Sequence, residues 1–453
     1  MARILLKDIF HLHTSYEEED RQGLDLLIDG NIVSQIGKDL DFSPDEGDRV
    51  IDCSRHVVVP GFVNTHHHFY QTLTRNIPAV QNVELFDWLV NLYEIWKKID
   101  EDAVFYSSVL AMAELMKTGC TTSTDHHYLY PRGFSTDLMG VQFEAADKVG
   151  MRFSPTRGSM SLSKKDGGLP PDSVVQGEEE ILEDSERVIR QYHDESELAM
   201  RKIVLAPCSP FSVTEELMKQ SAELARRYNV RLHTHVAETK DENDYCVEVY
   251  GRRPLKLMED TGFVGRDVFY AHGIYFNDDE LQLLAETGTH ISHCPSSNMR
   301  LGSGICRVTE MLPLGINVAL GVDGSASNDS SDMLGELRHA LLLQRVKYGA
   351  DALNAREVFR MANENGAALL GFPRIGQLKT GWAADIAIFD VHKPEYAGAL
   401  SDPLAALIFS GYNHGTDYTI VNGQVTVDRG RLTGFPEEDL TRRVNTIAAA
   451  MLE

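Results

Sequence analysis

The sequence lacks the features that mark three large classes of protein. It contains no uninterrupted apolar stretch of about 18 residues, so no transmembrane helix is expected. Its six cysteines are scattered without a C-x-x-C pair, which argues against a disulfide framework and against a structural zinc knuckle. Positive charge is scarce, with 43 lysines and arginines against 68 aspartates and glutamates and a formal net charge of -25. That balance argues against nucleic acid as a partner.

The remaining composition, 43% hydrophobic and 25% charged residues, is that of an ordinary soluble globular chain. Residues 1–7 form too short an apolar run for a secretory signal, so we expect a cytoplasmic protein. A length of 453 residues allows one large domain plus a small one. The expected partner is a small molecule rather than a nucleic acid or a membrane, and the sequence leaves open whether the chain forms a homo-oligomer.

From residue 58 onward, short apolar strands alternate with longer amphipathic helices. We predict eight strands, each followed by a helix or a long loop, and strict alternation indicates parallel strands with helical crossovers. Eight such units favour an α/β fold of the (β/α)8 TIM-barrel type. An open doubly wound sheet would need a glycine-rich phosphate turn after the first strand, where this chain has histidines. The strands are predicted near 57–64, 121–127, 151–157, 202–206, 230–236, 267–271, 290–294 and 316–321.

Strand patterns also occur at both ends of the chain. The dipeptides at 29–30 and 422–423 are hairpin signals, because a tight turn needs positive φ. We predict one small, discontinuous, β-sandwich-like domain from residues 1–57 and 380–435, a catalytic barrel over 58–379, and a C-terminal helix over 436–453. Single helices are predicted at 331–346 and 355–370. The glycine- and proline-rich stretch at 159–173 is predicted to be a loop.

The first barrel strand ends in three consecutive histidines, which we take as the centre of a metal site. Side chains alternate along a strand, so His66 and His68 point one way and His67 points the other. Two imidazoles on one face form half of a metal site. A histidine-rich polar loop is the alternative.

Further candidate ligands follow other predicted strands. In a TIM barrel the chemistry lies at the C-terminal ends of the strands. There the sequence places His233 and His235 with Glu238 after strand five, His272 after strand six, and Asp323 after strand eight. Because His233 and His235 share a face, the strand period does not choose between them. We expect the other histidines (His67, His126, His127, His290 and His293) to support the site or to be ordinary polar residues.

Four segments together resemble the amidohydrolase superfamily, within its branch of cytosine and guanine deaminases and triazine hydrolases. They are residues 60–68 (PGFVNTHHH), 235–239 (HVAET), 271–273 (AHG) and 320–325 (LGVDGS). Residues 376–385 also match a recurring GxLxxGxxAD pattern of the superfamily, so the resemblance covers essentially the whole chain. It implies a divalent metal held by His66, His68, His235 and Asp323. It also makes Glu238 the proton shuttle and His272 a partner of the water or the substrate. On chemical grounds we further expect Asp323 to take the proton of the water and deliver it to departing ammonia.

That ligand set suits metal-assisted hydrolysis. Three neutral imidazoles and one carboxylate leave a position for water, whose pKa such an ion lowers to about 7. Two-metal relatives use a carboxylated lysine after strand four, but this chain has APCSP at 206–210. One metal is therefore expected, zinc in preference to iron. The H-x-E and P-C-x-x-C deaminase class is excluded because Phe211 stands where the second cysteine should be.

The substrate is predicted from the resemblance and from three side chains. Gln71 can bond a lactam or amine, Trp88 can form an aromatic wall, and Arg157 can reach a carbonyl. Helix packing is the alternative for Trp88, and a surface ion pair is the alternative for Arg157. Residues 66–75, 125–129, 157–162 and 166–171 are similar to 8-oxoguanine deaminases, which implies conversion of 8-oxoguanine to urate and ammonia. Guanine or isocytosine deamination and s-triazine hydrolysis are the alternatives.

Two further readings are disfavoured. Adenosylhomocysteine deaminases of this branch carry a W-P-x-E run where this chain has WKKI at 96–99, which weakens a nucleoside substrate. A non-enzymatic scaffold is disfavoured because all four ligand positions and the acid are present.

Overall fold

The computed structural model describes residues 3–131, 133, 137–411 and 415–453. In chain order, the strands are β1 (Arg3–Ile9), β2 (His11–Leu12), β3 (Leu24–Asp29), β4 (Ile32–Gly37), β5 (Arg49–Asp52), β6 (His56–Pro60), β7 (Phe62–Asn64), β8 (Cys120–Ser123), β9 (His126–His127), β10 (Arg152–Phe153), β11 (Thr156–Ser159), β12 (Val204–Pro207), β13 (Arg231–Val236), β14 (Val268–His272), β15 (His290–His293), β16 (Val318–Leu320), β17 (Ile386–Asp390), β18 (Tyr418–Val421), β19 (Gln424–Asp428) and β20 (Arg431–Leu432).

The helices alternate with the central strands and cover them. In chain order they are α1 (Leu85–Trp96), α2 (Glu101–Lys117), α3 (Leu138–Val149), α4 (Glu178–Tyr192), α5 (Glu215–Arg227), α6 (Lys240–Tyr250), α7 (Pro254–Asp260), α8 (Asp278–Thr287), α9 (Pro295–Arg300), α10 (Val308–Met311), α11 (Ser325–Asn328), α12 (Met333–Tyr348), α13 (Ala355–Ala362), α14 (Glu364–Leu370), α15 (Pro403–Phe409) and α16 (Glu437–Leu452). In the described part of the chain, no helix has the length and apolar character needed to cross a membrane.

The parallel strands form a curled sheet, which confirms the predicted α/β class. Seven strands follow one another in the order β16-β15-β14-β13-β12-β11-β9, and β10-β8-β7 form a second ladder. β10 and β11 pair with β8 and β9 respectively, so the two ladders continue into each other. At the other edge, the Thr65 N–H donates to Leu320 O at 3.0 Å, and the Asp323 N–H donates to His66 O at 3.0 Å. This arrangement is consistent with the predicted (β/α)8 barrel.

Two further sheets are built from the ends of the chain. The order of one is β4-β3-β1-β5, and the order of the other is β2-β6-β17-β18-β19-β20. β6 pairs antiparallel with β17, so N-terminal and C-terminal segments share a sheet. The two sheets share a hydrophobic core. Both predicted hairpin turns are confirmed, with Gly30 at φ +62 and Gly423 at φ +79. The predicted division into domains stays a prediction.

A buried ion pair joins the parallel sheet to the C-terminal strands. Arg152 Nε lies 3.1 Å from Asp385 Oδ2, and both side chains are buried. Asp385 Oδ1 also accepts the N–H of Asn422 at 2.7 Å. Removal of one partner would leave a buried charge unpaired, which costs about 3–5 kcal/mol in comparable cases. Asp385 ends the 376–385 pattern, so this part of the pattern has a structural role.

Several predicted elements are interrupted in the structure. The helix predicted at 355–370 is wrong as a single helix, because the backbone leaves the helical region at Asn363 (φ -116, ψ -84). The side-chain amide of Asn363 donates to Pro60 O and Gly61 O at the start of the barrel. The second and third predicted strands are each split into two segments. The 159–173 loop contains short 3-10 turns at Lys164–Asp166 and Asp172–Val174.

Candidate active site

The histidines after β7 have the orientation that strand alternation predicts. The rings of His66 and His68 lie 4.8 Å apart, whereas His67 Nε2 lies 2.9 Å from Ser331 Oγ on the opposite side. The segment that contains His66 passes close to Gly321, which follows β16. A Cβ on Gly321 would lie 2.7 Å from the Cβ of His66, so only glycine fits at 321 without displacement.

A relay of hydrogen bonds fixes the tautomer of His66. His233 Nδ1 lies 3.0 Å from Phe269 O, and a carbonyl only accepts, so His233 carries its proton on Nδ1. His233 Nε2 therefore accepts, and its partner at 2.8 Å is His66 Nδ1. The lone pair of His66 must then lie on Nε2. That atom is buried and has no hydrogen-bond partner among the described residues.

His68 and His235 are held in the same way by backbone carbonyls. His68 Nδ1 donates to His126 O at 2.8 Å, and His235 Nδ1 donates to Cys208 O at 2.7 Å. Both rings therefore present the Nε2 lone pair toward the site. The relay also separates the two candidates on β13, since both nitrogens of His233 are occupied and His235 Nε2 faces the cluster.

The four predicted ligands converge with spacings that fit a metal ion. Asp323 Oδ1 lies 3.3 Å from both His66 Nε2 and His68 Nε2, and His68 Nε2 lies 3.3 Å from His235 Nε2. Ligands of tetrahedral zinc with bonds of about 2.0–2.1 Å stand roughly 3.3 Å apart. Two imidazole lone pairs at this distance repel each other, and a cation between them removes the repulsion. The donor set therefore fits a divalent ion.

The protonation states of these four residues also favour metal binding. Burial lowers the pKa of His66, His68 and His235, so these imidazoles are neutral at pH 7. Burial alone would raise the pKa of Asp323, but the surrounding histidines His66, His272 and His68 hold it well below its ordinary value. Neutral imidazoles and an ionised carboxylate are the forms that bind metals.

Glu238 and His272 stand beside this cluster. His272 Nε2 lies 3.5 Å from Glu238 Oε2 and 4.0 Å from Asp323 Oδ2. Burial raises the pKa of Glu238 to about 7, although the positive charge of His272 opposes the shift. A carboxyl group with a pKa near 7 both gives and takes a proton at neutral pH, which suits a proton carrier.

A small cavity opens next to these groups. Its volume is about 30 Å³, which admits water but is far below the several hundred Å³ usual for small-molecule sites. A heterocyclic ligand therefore enters only when lining side chains move aside. Helix α1 supplies four of the residues that line the cavity, namely Leu85, Trp88, Leu89 and Tyr93.

Two predicted substrate contacts lie on this cavity with free polar atoms. Gln71 Oε1 and Trp88 Nε1 are buried and have no hydrogen-bond partner among the described residues. One is an acceptor and the other is a donor, as a lactam edge requires. Gln71 approaches the Asp323 loop closely, because a Cβ on Gly324 would lie 1.9 Å from Oε1.

The third predicted contact, Arg157, is not brought to the cavity. Its guanidinium is buried against Asp184, Gln176 and the carbonyl of Gly158. It also lies 3.9 Å from the centre of the Tyr130 ring. The expectation that Arg157 reaches a substrate carbonyl is therefore corrected: strand position placed it at the right rim, but neighbours outside the cavity occupy its donors.

The structure adds residues that the sequence did not single out. Asn298 Oδ1 accepts from His272 Nδ1 at 3.0 Å, and Ser327 Oγ donates to Asp323 Oδ2 at 3.3 Å. Glu242 accepts the backbone N–H groups of Ala237 and of Glu238 itself. Both Asn298 and Ser327 lie in short helices that periodicity does not detect. The T-x-x-E pattern of 239–242 was a detectable signal, although it indicates only a helix start.

The other histidines differ in their surroundings. The ring of His126 stacks on His235 at 4.8 Å, and its Nε2 donates to Ala206 O. Neither ring nitrogen of His127 or His293 has a partner among the described residues. His290 bonds Asn317 and the carbonyl of Arg266. Their roles beyond these contacts stay predictions.

Comparison with known proteins shows which enzymes this chain resembles. The sequence profile of the amidohydrolase family matches residues 57–426. The chain is 44% identical over 452 residues to 8-oxoguanine deaminase of Pseudomonas aeruginosa, covering 100% of both chains. It is 36% identical to hydroxydechloroatrazine ethylaminohydrolase of Pseudomonas sp. strain ADP, covering 94% of this chain and 90% of the relative.

A solved structure extends the similarity to three dimensions. Atrazine chlorohydrolase from Arthrobacter aurescens TC1, complexed with zinc, superposes with a TM-score of 0.94 at 31% identity. The match covers 98% of this chain and 100% of that chain. The fold and the arrangement of strands are therefore shared along the whole length.

Proposed function

The chain belongs to the amidohydrolase family, and on that premise we propose that it is a metal-dependent deaminase with 8-oxoguanine as its substrate. The reaction is hydrolysis of the 2-amino group, so that 8-oxoguanine and water give urate and ammonia. The observation that carries the proposal is the convergence of three Nε2 lone pairs and Asp323 beside Glu238. The 44% identity with an 8-oxoguanine deaminase supports the choice of substrate.

One divalent ion, zinc in preference to iron, is proposed to be held by His66, His68, His235 and Asp323. When bound there, the ion would act as a Lewis acid that makes water nucleophilic at neutral pH. The zinc complex of the Arthrobacter enzyme supports this choice of metal. We also propose that the parallel strands close a complete (β/α)8 barrel and that the terminal sheets form one small domain.

Three side chains move or hold protons in the proposed reaction. Glu238, with a pKa raised to about 7 by burial, protonates the ring nitrogen next to the amino-bearing carbon and recovers a proton from the added hydroxyl when ammonia leaves and the carbonyl forms. Asp323 takes the proton of the attacking water and delivers it to the departing ammonia. His272, held through Nδ1 by Asn298, orients the attacking water through Nε2.

Substrate orientation is assigned to the free polar atoms of the cavity. Trp88 Nε1 donates to a carbonyl of the purine, and Gln71 Oε1 accepts from a ring N–H or the amino group. Because α1 carries Trp88 and three other lining residues, the side chains of this helix are proposed to move aside when the bicyclic ring enters.

The test is an ammonia-release panel on zinc-loaded protein with 8-oxoguanine, guanine, isocytosine, adenosine and a hydroxytriazine. We expect the highest kcat/KM with 8-oxoguanine. A tenfold preference for guanine, equivalent to about 1.4 kcal/mol of transition-state binding, would overturn the substrate but keep the reaction. An s-triazine amidohydrolase is the second candidate, favoured by the identity with the Pseudomonas sp. strain ADP enzyme. Faster turnover of the hydroxytriazine would establish it instead.

A further inference from the structure

We propose that Glu242 is a positioning residue that holds the backbone of Ala237 and Glu238 and thereby aims the Glu238 carboxyl at the reacting atoms. The inference rests on the proposed function, because it concerns the residue that carries the proton there. Glu242 itself does not line the cavity and therefore acts through Glu238.

The carboxylate of Glu242 bridges two consecutive peptide N–H groups. Its Oε1 accepts from Ala237 N at 2.8 Å, and its Oε2 accepts from Glu238 N at 2.8 Å. The residue has no exposed surface, so water does not compete for these bonds. Both oxygens are needed, since each has a separate donor.

This use of a glutamate departs from the ordinary helix start that the local sequence indicates. Helix α6 begins after Thr239, whose side chain accepts the N–H of Glu242. In a capping box the glutamate returns the bond to the N–H of the N-cap residue itself. Helices α8 and α13 do so, with the pairs Asn277/Glu280 and Asn354/Glu357. Glu242 instead reaches one and two residues further back, to the segment that joins His235 to the helix.

That segment has a backbone conformation that needs support. Ala237 has φ +56, a left-handed conformation that a side chain with a Cβ disfavours. Its carbonyl accepts the N–H groups of Ile274 and Tyr275 at 2.8 and 2.9 Å. The residue is thus held through its N–H by Glu242 and through its carbonyl by the chain that follows His272. Glu238 is the next residue, so its direction depends on this clamp.

The test replaces Glu242 by glutamine, which accepts one N–H but presents an NH2 group to the other. For Glu242→Gln we expect kcat to fall 10- to 100-fold with KM changed less than threefold, because the cavity walls are untouched. Zinc content should remain stoichiometric. Glu242→Asp keeps the carboxyl group but shortens the side chain by one methylene, and we expect at least a threefold loss of kcat.

A second substitution separates positioning from general stability. Glycine adopts left-handed φ without a Cβ penalty, so Ala237→Gly should lower the need for the clamp. We expect Ala237→Gly to raise the kcat of Glu242→Gln at least fivefold. A residue that merely stabilised the fold would not be rescued in kcat in this way.

Asp25 provides a matched control in the terminal sheet. It is a buried carboxylate that accepts N–H groups from Asp8 at 2.8 Å and from Leu40 at 3.0 Å. Asp8 also has positive φ, at +55. We therefore expect both Asp25→Asn and Glu242→Gln to lower the melting temperature, but Asp25→Asn to keep kcat within twofold of the wild type.

Hydrogen exchange provides a readout that does not depend on turnover. We expect the amides of residues 237 and 238 to exchange at least tenfold faster in Glu242→Gln or Glu242→Asp, with those of 8 and 40 unchanged. The inference is overturned if exchange is unchanged, or if folded, zinc-loaded Glu242→Gln keeps wild-type kcat. An inactive wild type with faster exchange in the variant would overturn the proposed function and retain the clamp.

Discussion

His66 Nδ1 lies 2.8 Å from His233 Nε2, and this contact decides which nitrogen of His66 is free for a metal. His233 in turn donates to the carbonyl of Phe269, so the proton positions of both rings follow from a single carbonyl. A partner that orients a metal-binding histidine contributes to affinity without touching the ion.

Replacement of His233 by alanine should therefore weaken metal binding rather than abolish the site. We expect zinc affinity to fall about 10- to 100-fold, with turnover recovered by excess zinc. Competition with a fluorescent chelator measures the affinity. The control is His290→Ala. His290 lies at the N-terminal end of β15, away from the rim that carries the ligands, so its removal should change zinc affinity less than twofold. Unchanged affinity in His233→Ala would contradict the role of the relay.

Replacement of Glu238 by glutamine should stop turnover and leave the metal in place. An amide cannot carry the proton that the carboxyl transfers, and such groups contribute about 10²- to 10⁴-fold to rate. Ammonia release and zinc content, measured on the same preparation, check both halves of this expectation. Activity within tenfold of the wild type would contradict the proposed proton transfer.

Trp88→Phe should discriminate between substrates. The change keeps an aromatic wall but removes the buried Nε1–H that has no partner among the described residues. If this group donates to the 8-oxo carbonyl, kcat/KM for 8-oxoguanine should fall about tenfold while that for guanine changes less than twofold. Tenfold corresponds to about 1.4 kcal/mol, the range of one hydrogen bond. Trp96→Phe is the matched control, because its Nε1 already donates to Thr74.

The buried carboxyl group of Glu336 should make the stability of the protein depend on pH. Burial raises its pKa from 4.5 to about 8, although the hydrogen bonds of Ser296 and Asn328 oppose the shift. Between these pH values the folded protein holds one proton more than the unfolded chain. This group therefore makes stability fall as pH rises, by up to about 1.4 kcal/mol per pH unit.

Glu336→Gln should remove that contribution. Denaturant unfolding at pH 5 to 9 is expected to show a flatter dependence in the variant, with its largest relative gain at pH 9. The exposed Glu286→Gln serves as a control and should leave the dependence unchanged. A variant whose curve parallels the wild type would contradict the raised pKa.

The periodicity of the sequence predicts which strand ends carry the proposed metal ligands. It does not predict which of two histidines on the same strand face is the ligand. The alternation of strands and helices places His66, His68, His235 and Asp323 at one rim, and the structure brings them within 3.3 Å contacts. His233 and His235 share a strand face, and contacts from other strands distinguish them: both nitrogens of His233 are occupied, by Phe269 O and His66 Nδ1.

Long-range contacts explain the predictions that failed. Asn363 lies in a sequence that favours one helix, but its amide bonds Pro60 and Gly61, about 300 residues away in the chain. Arg157 follows a strand as a substrate contact would, yet Asp184 and Gln176 from later segments take its donors. Local patterns contain no information on such partners. Glu242 shows the same limit, because a helix-start pattern does not reveal how far back a carboxylate reaches.

The pairing of β6 with β17 has a consequence for how the chain folds during synthesis. β6 lies between β2 and β17 in its sheet, but β17 begins only at Ile386. When the first 60 residues leave the ribosome, one edge of β6 has no strand to bond. Unpaired edges invite association with other chains. The nascent protein thus carries an open edge on β6 until β17 has been synthesised, which happens only after all the strands of the parallel sheet, β7 to β16.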